Sequence, residues 1–202
     1  MSLTLVITTR NQNKKRELLE ILNDRSLKLL TLEDFPNVSD IVEDGSTFKE
    51  NAIKKATTVA AETGKPSLAD DSGLEVDALN GMPGVYSARF AGEPSDDIAN
   101  NNKLLQLLEG VPGEQRTARF KCVIALAVPN GEYTTVEGSC EGSIGFRPKG
   151  SGGFGYDPLF TPKGYELTFA ELGSEVKNQI SHRARALYEA GKIIIDWLEK
   201  NK

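Results

Sequence analysis

The stretch Leu3-Thr4-Leu5-Val6-Ile7-Thr8-Thr9-Arg10-Asn11-Gln12-Asn13-Lys14 decides the fold class. Its first seven residues are rich in β-branched side chains and predict a buried strand. The next residues are polar, and leucines beyond them recur at helical spacing, which predicts a helix that begins near Asn13. A strand, a polar turn and a helix in this order are typical of an α/β protein.

Strands and helices continue to alternate after this first pair. A second strand is predicted at residues 27–32, and Thr47-Phe48-Lys49-Glu50 has the spacing of a capping box that opens a helix to about Thr63. Residues 66–69 predict a third strand that runs into Asp70-Asp71-Ser72-Gly73. The acidic pair is therefore expected at a strand end.

The rest of the chain predicts a helix, a hairpin and a final helix. Ser95 is the expected N-cap of the first of these helices, and residues 116–128 and 132–141 form the hairpin around a two-residue turn, Asn130-Gly131. Ser181 is expected to cap the final helix. The inward-facing side chains of that helix are expected to include Leu187, Ile194, Ile195 and Leu198. The whole pattern indicates an α/β fold with a central mixed sheet and flanking helices.

The composition is that of an ordinary globular protein, and we expect residues 1–202 to form a single domain. Hydrophobic residues make up 39% and charged residues 26%, so the chain is too apolar for disorder and too charged to cross a membrane. A net charge of −5 opposes extended binding to nucleic acid, because such binding needs many cations beside phosphates. No secretion signal is recognisable before Thr8, so a cytoplasmic protein is expected.

Cys122 and Cys140 both lie on the predicted hairpin. If Asn130-Gly131 sets the register, residue 122 lies opposite residue 139, and the two cysteine side chains point to opposite faces. This geometry disfavours a disulfide, and the set of ligands that zinc prefers is lacking.

The polar turn from Thr9 to Lys14 is the first candidate for chemistry. Backbone amides at the start of a helix, with Lys14 nearby, could hold a phosphate. The segment lacks the glycines of a P-loop. Taken alone, the segment is better explained as an ordinary capped turn between a strand and a helix.

Two acidic pairs, Glu43-Asp44 and Asp70-Asp71, are the second candidate. Neighbouring carboxylates suit magnesium, which prefers oxygen ligands and shares its coordination shell with substrate phosphates. Acidic side chains near turns are also commonly solvated or cap a helix. The pair at residues 70–71 is the stronger one, because an apolar strand precedes it.

The glycine-rich loop at residues 150–158 contains the spacing G-x-G-x-x-G. The residues before it make a poor strand, and Tyr156-Asp157-Pro158 cannot open the long helix of a dinucleotide-binding fold, so that interpretation is rejected. Phe154 and Tyr156 could instead stack on a flat base. The alternative is a glycine turn with two aromatic residues in the core.

The fourth group of candidates lies near the last helix. Lys177 and Arg183 offer cations to phosphate or carbonyl oxygens, and His182 can donate to an acceptor on a base. His182 is the only histidine, so it cannot belong to a multi-histidine metal site, and a single histidine at a helix start is more often structural.

Taken together, these motifs resemble the Ham1-like inosine triphosphate pyrophosphatases, also called dITP/XTP diphosphatases. The likeness covers nearly the whole chain. It is carried by the Thr9 segment, Phe48-Lys49-Glu50-Asn51-Ala52, Ala69-Asp70-Asp71-Ser72-Gly73-Leu74, Pro83-Gly84-Val85-Tyr86-Ser87-Ala88-Arg89, Gly153-Phe154-Gly155-Tyr156-Asp157-Pro158 and Ser181-His182-Arg183.

The resemblance implies an elongated fold with a cleft between two lobes, assembled as a homodimer, that cleaves non-standard purine triphosphates (dITP, ITP, XTP) to the monophosphate and pyrophosphate. It assigns Mg²⁺ to Glu43 and Asp71, with Asp71 also the general base. The residues that it assigns to substrate are Thr9, Arg10, Asn11, Gln12, Asn13, Lys14 and Lys55 for the triphosphate, Ser72, and Phe154, Gly155, Tyr156, Asp157, Lys177, His182 and Arg183 for the base and phosphates.

The sequence departs from the family at Arg10 and Asn13, where members often carry glycine and a small residue. If either position needs a positive φ, Asn13 tolerates it better than Arg10 does. Three other functions remain open: a septum-inhibitor-type pyrophosphatase for modified pyrimidine nucleotides, a sensor that binds nucleotides without cleaving them, and a hydrolase that removes only the terminal phosphate. An Arg183→Ala variant is expected to lose preference for ITP over ATP more than it loses folding.

Overall fold

A computed structural model describes residues 3–22 and 27–200 of the chain. Within these ranges the regular elements alternate between strand and helix up to the hairpin, as the sequence predicts. The strands are β1 (Leu3–Ile7), β2 (Leu27–Thr31), β3 (Ser67–Val76), β4 (Thr117–Ala127), β5 (Tyr133–Ile144) and β6 (Phe160–Pro162). The α-helices are α1 (Gln12–Ile21), α2 (Phe48–Thr63), α3 (Asp97–Leu107), α4 (Phe169–Ile180) and α5 (His182–Lys200).

The strands form one six-stranded sheet in the order β2-β1-β3-β4-β5-β6. Strand β1 pairs in parallel with β2 and with β3, whereas β5 and β6 are antiparallel. The parallel pairs are joined by helical crossovers, and the antiparallel part follows from the hairpin. The prediction of a mixed central sheet with flanking helices is therefore confirmed.

The chain divides into two compact units. The first comprises Met1–Asp71, Cys122–Gly138 and Arg185–Lys202, and the second comprises Ser72–Lys121 and Ser139–Ala184. Each unit has its own apolar core. The first core includes Leu5, Ile7, Leu18, Leu68, Ile124 and Leu187, and the second includes Leu74, Val76, Leu104, Phe120, Phe160 and Phe169. Whether residues 1–202 behave as a single domain stays a prediction.

The start and end signals of helix α2 are confirmed. The Thr47 side chain accepts a hydrogen bond from the backbone N–H of Glu50 at 3.1 Å, which satisfies one amide of the first turn. The helix ends at Gly64, which adopts the left-handed conformation with φ +63°. Ser181 likewise caps α5, since its hydroxyl accepts from the N–H of Ala184 at 3.2 Å.

The prediction for the third strand is wrong in length. Strand β3 continues through Asp70 and Asp71 to Val76, so the acidic pair lies inside the sheet and not in a loop after it. Both carboxylates are buried, and each has a cationic partner in the fold. Sequence rules treat adjacent acids as turn residues, but paired charges can occupy a strand.

The hairpin turn is displaced by one residue from its predicted position. The N–H of Val128 donates to the carbonyl of Glu132, and the N–H of Gly131 donates to the carbonyl of Val128, both at 3.0 Å. Pro129 and Asn130 are therefore the central turn residues, and Gly131 follows with φ +92°. Proline prefers the first central position of such a turn, which explains the shift.

The helices after β3 agree with the prediction only in part. Helix α3 is capped by Asp96 and not by Ser95, and helix α4 is missing from the sequence-based prediction. In α5, Leu187 and Ile194 are buried as expected, whereas the side chains of Ile195 and Leu198 lie outside the described part of the structure. Both cysteines are buried thiols that are not joined in a disulfide. No helix among the described residues is both long and apolar enough to span a bilayer.

Candidate active site

Two carboxylates from distant parts of the first unit meet at one buried lysine. The ammonium of Lys55, on helix α2, lies 2.9 Å from Oδ1 of Asp71 and 3.1 Å from Oε1 of Glu43. The side chains of Lys55 and Asp71 are 9% and 7% exposed, whereas that of Glu43 is 38% exposed. Glu43 and Asp71 thus converge on one point, as the sequence analysis expects.

A buried asparagine, Asn51, supports the same cluster from helix α2. Its side-chain amide donates to Oδ2 of Asp71 at 3.3 Å, and its carbonyl oxygen accepts from the backbone N–H of Gly45 at 2.8 Å. Gly45 lies two residues after Glu43. Asn51 therefore ties the Asp71 carboxylate to the segment that carries Glu43, and the sequence analysis assigns it no role.

The burial and charges of this cluster shift the pKa values of its members. Burial raises the pKa of Asp71, and Lys55 and Lys14 offset this only in part. Burial also acts to raise the pKa of Glu43, but the charges of Lys55 and Lys14 outweigh it and the pKa is lowered. The pKa of Lys55 is raised despite burial, because Asp71, Glu43 and Asp70 surround it.

Asp70 belongs to a separate pairing, as expected for adjacent residues in a strand, whose side chains point to opposite faces. Its Oδ1 lies 3.5 Å from the ammonium of Lys14, and its Oδ2 lies 3.9 Å from the thiol of Cys122. Asp44, in contrast, is exposed and pairs with Lys54 at 2.6 Å. The two predicted acidic pairs thus contribute one residue each, Glu43 and Asp71, to the common cluster.

The turn from Thr9 to Lys14 has the geometry of an ordinary helix cap. The Asn11 side chain accepts from the N–H groups of Asn13 and Lys14 at 3.0 and 3.1 Å, and the Thr9 hydroxyl accepts from the N–H of Asn11. Two amides that a phosphate could have used are therefore already bonded. The Lys14 side chain therefore remains the main candidate of this segment for contact with a phosphate.

The side chains at the positions that depart from the family have partners of their own. Arg10 pairs with Asp40 at 2.8 Å and donates to the carbonyl of Val38, and Asn13 accepts from Arg16. Gln12 donates to Glu33 at 3.4 Å. Asn80 is the one non-glycine residue of the described ranges with a positive φ, so neither Arg10 nor Asn13 needs that conformation.

The donor set of the first unit fits magnesium. Mg²⁺ commonly uses one or two protein carboxylates and completes its shell with water and phosphate oxygens. Glu43 and Asp71 supply two carboxylates that already lie beside one cation. Among the residues that the structure describes, no group of three or more acidic, histidine or cysteine side chains could hold a metal by itself. Water and phosphate oxygens would complete the shell of an ion held by Glu43 and Asp71.

In the second unit, the loop from Phe154 to Asp157 is held by a buried ion pair. Oδ2 of Asp157 lies 2.6 Å from the ammonium of Lys177 and accepts from the N–H of Phe154 at 2.9 Å. The Lys177 ammonium also lies 4.3 Å from the centre of the Phe154 ring, which is a cation–π distance. The ion pair thus fixes both the backbone and the ring of Phe154.

The two aromatic residues of this loop have different environments. Phe154 is partly exposed, whereas Tyr156 is 3% exposed and its hydroxyl donates to the carbonyl of Ser87 at 2.9 Å. Burial raises the pKa of Tyr156, with a further contribution from Asp97. Tyr156 matches the alternative of a core aromatic, and Phe154 retains surface for stacking.

Arg183 and His182 lie at the start of α5, and both are buried. Arg183 is 1% exposed and donates to the hydroxyl of Ser72 at 2.9 Å. His182 stacks on Phe120 with ring centres 4.7 Å apart. Because Arg183 is among the largest fully buried side chains, truncation to alanine would leave a cavity and also lower stability.

The second unit also contains supporting residues that the sequence analysis does not identify. Asp97 and Asn101, both on helix α3, contact the backbone of Gly155. No motif separates them from ordinary helix residues, because their partner lies more than fifty positions away in the sequence.

Comparison with known proteins finds relatives along nearly the whole chain. The profile of the Ham1 family matches residues 5–193. A dITP/XTP pyrophosphatase of Desulforamulus reducens is 60% identical over 190 residues, which cover 94% of each chain. The corresponding protein of Geobacter sulfurreducens is 56% identical over 183 residues, which cover 91% of this chain and 92% of the relative.

Solved structures agree with these sequence relatives. A HAM1 protein from Coxiella burnetii superimposes with a TM-score of 0.88 at 43% identity, covering 96% of this chain and 99% of that one. A nucleoside-triphosphatase / dITP/XTP pyrophosphatase from Mycobacterium abscessus gives a TM-score of 0.77 at 45% identity, with 93% and 98% covered.

Proposed function

This chain belongs to the Ham1 family, and from that premise we propose that it hydrolyses non-standard purine nucleoside triphosphates (dITP, ITP, XTP) to the monophosphate and pyrophosphate. The observation that carries the proposal is the convergence of Glu43 and Asp71 on the ammonium of Lys55. A protein that only sensed nucleotides would have no need of a buried carboxylate whose pKa is raised.

The first unit is assigned to the triphosphate. Lys14 and Lys55 counter its charge, and Glu43 and Asp71 hold Mg²⁺, which when bound draws electron density from the phosphate oxygens. Two lysines already face three carboxylates, Glu43, Asp70 and Asp71, so most of the charge is paired before substrate arrives. A triphosphate with its metal replaces one set of unlike charges by another, which limits the desolvation cost.

Asp71 is proposed as the general base. It accepts a proton from a water molecule as the water oxygen attacks the α-phosphorus, and the bond from that phosphorus to the bridging oxygen breaks to release pyrophosphate. Burial raises the pKa of Asp71, which makes the carboxylate a better base near neutral pH than a solvated aspartate. Lys55 contacts Oδ1 of this carboxylate, and Asn51 holds Oδ2 in place.

The second unit is assigned to the base. Ser72 follows Asp71 directly in strand β3, so the chain passes from one set of residues to the other without an intervening residue. Phe154 offers an aromatic face, while Lys177, His182 and Arg183 offer donors. Such donors favour the 6-oxo group of hypoxanthine or xanthine, and a 6-amino group would face another donor.

The test is to incubate the purified protein with dITP and Mg²⁺ and to identify the phosphate product. Pyrophosphate is expected, and chelation of the metal is expected to stop the reaction until Mg²⁺ is restored. An Asp71→Asn variant should reduce kcat by about a thousandfold or more, because proton transfer and metal binding are lost together.

The matched pair Glu43→Gln and Asp44→Asn tests the assignment within one acidic pair. Glu43→Gln should lose most activity, whereas Asp44→Asn, at an exposed residue paired with Lys54, should keep it. Release of orthophosphate alone, or faster hydrolysis of dUTP and TTP than of dITP, would contradict the proposal.

Three further properties are proposed on the same basis. We expect a homodimer, located in the cytoplasm, whose partners are small nucleotides and not nucleic acid. Sedimentation of the purified protein tests the first expectation. A net charge of −5 supports the last, because it opposes extended contact with a polyanion.

A further inference from the structure

Helix α3 contacts the two peptide groups that flank the Cα of Gly155 in the Phe154–Asp157 loop. Oδ2 of Asp97 accepts from the backbone N–H of Gly155 at 2.7 Å, and Nδ2 of Asn101 donates to the carbonyl of Gly155 at 2.9 Å. The two side chains are four residues apart and therefore lie on the same face of the helix. They hold Gly155 in a left-handed conformation, φ +60°.

Asn101 makes this contact at a cost in stability. The residue is 7% exposed, and no donor in the described part of the chain lies within hydrogen-bond distance of its Oδ1. A buried acceptor without a partner is unfavourable, and an apolar side chain of similar size would avoid that penalty. Asparagine at this position is therefore poorly explained by stability and better explained by the loop that it holds.

The other contacts of the loop show what depends on Gly155. Phe154 precedes it, and its ring lies beside the ammonium of Lys177. The residue after it, Tyr156, is anchored by its hydroxyl to Ser87. Gly155 is the flexible position between these anchors, so the direction of the Phe154 ring depends on how its peptide is held.

We propose that Asn101, assisted by Asp97, is a positioning residue for base selection, which acts by holding the Gly155 peptide so that the Phe154 ring receives the purine. The inference rests on the proposed function. It concerns only the choice of base, since both residues act through the backbone of Gly155 beside Phe154.

The experiment compares kcat/KM for dITP with that for dATP in the wild type and in Asn101→Leu. We expect the ratio to fall by about tenfold or more, because small displacements of binding groups change reactivity strongly. The fall should come mainly from a raised KM for dITP, with kcat retained within a few-fold. The melting temperature should change little, because leucine removes one unpaired acceptor, Oδ1 of Asn101, while the carbonyl of Gly155, which loses its donor, is partly exposed to water.

Two variants at the start of helix α3 complete the experiment, one as a second test and one as the control. Asp97→Ala releases the N–H of Gly155 and should also lower the ratio. Asp96→Ala removes the N-cap that accepts from Ile98 and Ala99, so it should lower the melting temperature but keep the ratio. Should Asn101→Leu fail to fold, the pair Asp97→Ala and Asp96→Ala decides the question.

The outcomes separate the inference from the function on which it rests. A wild type that shows no preference for dITP over dATP contradicts the proposed function. A wild type with that preference, retained in full by both Asn101→Leu and Asp97→Ala, overturns the inference alone. An equal loss in Asp96→Ala would also overturn it, since the effect would then belong to the helix as a whole.

Discussion

The carboxylate cluster of the first unit (Glu43, Lys55 and Asp71) and the loop of the second unit that is assigned to the nucleobase (residues 153–157, the base loop) are held in place by different forces. The cluster consists of charged side chains from β3, α2 and the segment before α2, and one cation, Lys55, contacts both carboxylates. The loop is positioned by glycine conformations and hydrogen bonds to its backbone, with one buried ion pair, Asp157–Lys177.

Because of this difference, the chemical step and the choice of base should respond differently to substitution. Removing the Lys55 charge takes away the cation that Glu43 and the buried Asp71 share, which is costly for folding. Altering the loop moves a binding surface without leaving an unpaired charge, so it should change the choice of base before it changes the chemical step.

The largest effect is expected from Lys55→Met, which keeps the length of the side chain and removes its charge. Asp71 and Glu43 then lose their common cation, and the free energy of unfolding should fall by about 3–5 kcal/mol. Activity should fall as well. Chemical denaturation monitored by circular dichroism measures the change.

The matched control is Lys54→Met, one residue earlier on the same helix. Lys54 pairs with Asp44 at 2.6 Å, but both side chains are well exposed to water. Its loss should change stability far less, because solvent screens such pairs. Equal effects of the two substitutions would show that burial of the cluster does not matter.

A smaller effect is expected from Gly153→Ala in the base loop. A Cβ atom at this position would lie within 2.1 Å of Oδ2 of Asp157, and the residue has φ +73°. Overpacking of this kind costs about 1–3 kcal/mol, and the displaced Asp157 should also weaken discrimination between dITP and dATP.

Gly164→Ala isolates the conformational part of that cost. Gly164 has φ +89°, and a Cβ there would meet no atom within 4 Å. The Gly164→Ala variant should lose about 1 kcal/mol of folding stability and keep its discrimination between dITP and dATP. Thermal unfolding and the substrate ratio, measured on both variants, distinguish close packing from backbone strain.

The smallest effect is expected from Asp77→Asn, at a partly exposed ion pair of the second unit. The Arg119 guanidinium donates to both carboxylate oxygens, at 2.9 and 3.0 Å, and with the Thr117 hydroxyl it holds the pKa of Asp77 below its ordinary value of 3.8. Because the pair is partly solvated, its contribution should stay below about 1 kcal/mol.

The pH dependence of stability in this variant shows whether the Asp77 carboxylate stabilises the fold. A carboxylate whose pKa is lowered on folding stabilises the protein above pH 3.8, and the stabilisation disappears as pH falls through the lower folded value. Wild type should therefore melt above Asp77→Asn at neutral pH, and the two should converge in strong acid. A difference that grows in acid would contradict this assignment.

Much of the fold is readable from local signals in the sequence. The capping residue Thr47, the terminal Gly64 and the alternation of strands and helices all act within a few residues, so they need no knowledge of the rest of the chain. The extent of β3 could not be read in this way, because Asp70 and Asp71 are stable inside a strand only when Lys14 and Lys55 lie beside them.

The sequence by itself determined the α/β class, and its motifs indicated the family to which the chain belongs and the types of residue that the chemistry needs. The tertiary structure decided which member of each acidic pair joins the cluster, and that Tyr156 is a core residue while Phe154 is not. It also decided that Asn51 supports the carboxylate cluster and that Asn101 supports the base loop. The physical reason is range: caps and periodicity depend on neighbours in sequence, whereas burial and charge pairing join residues that only packing brings together.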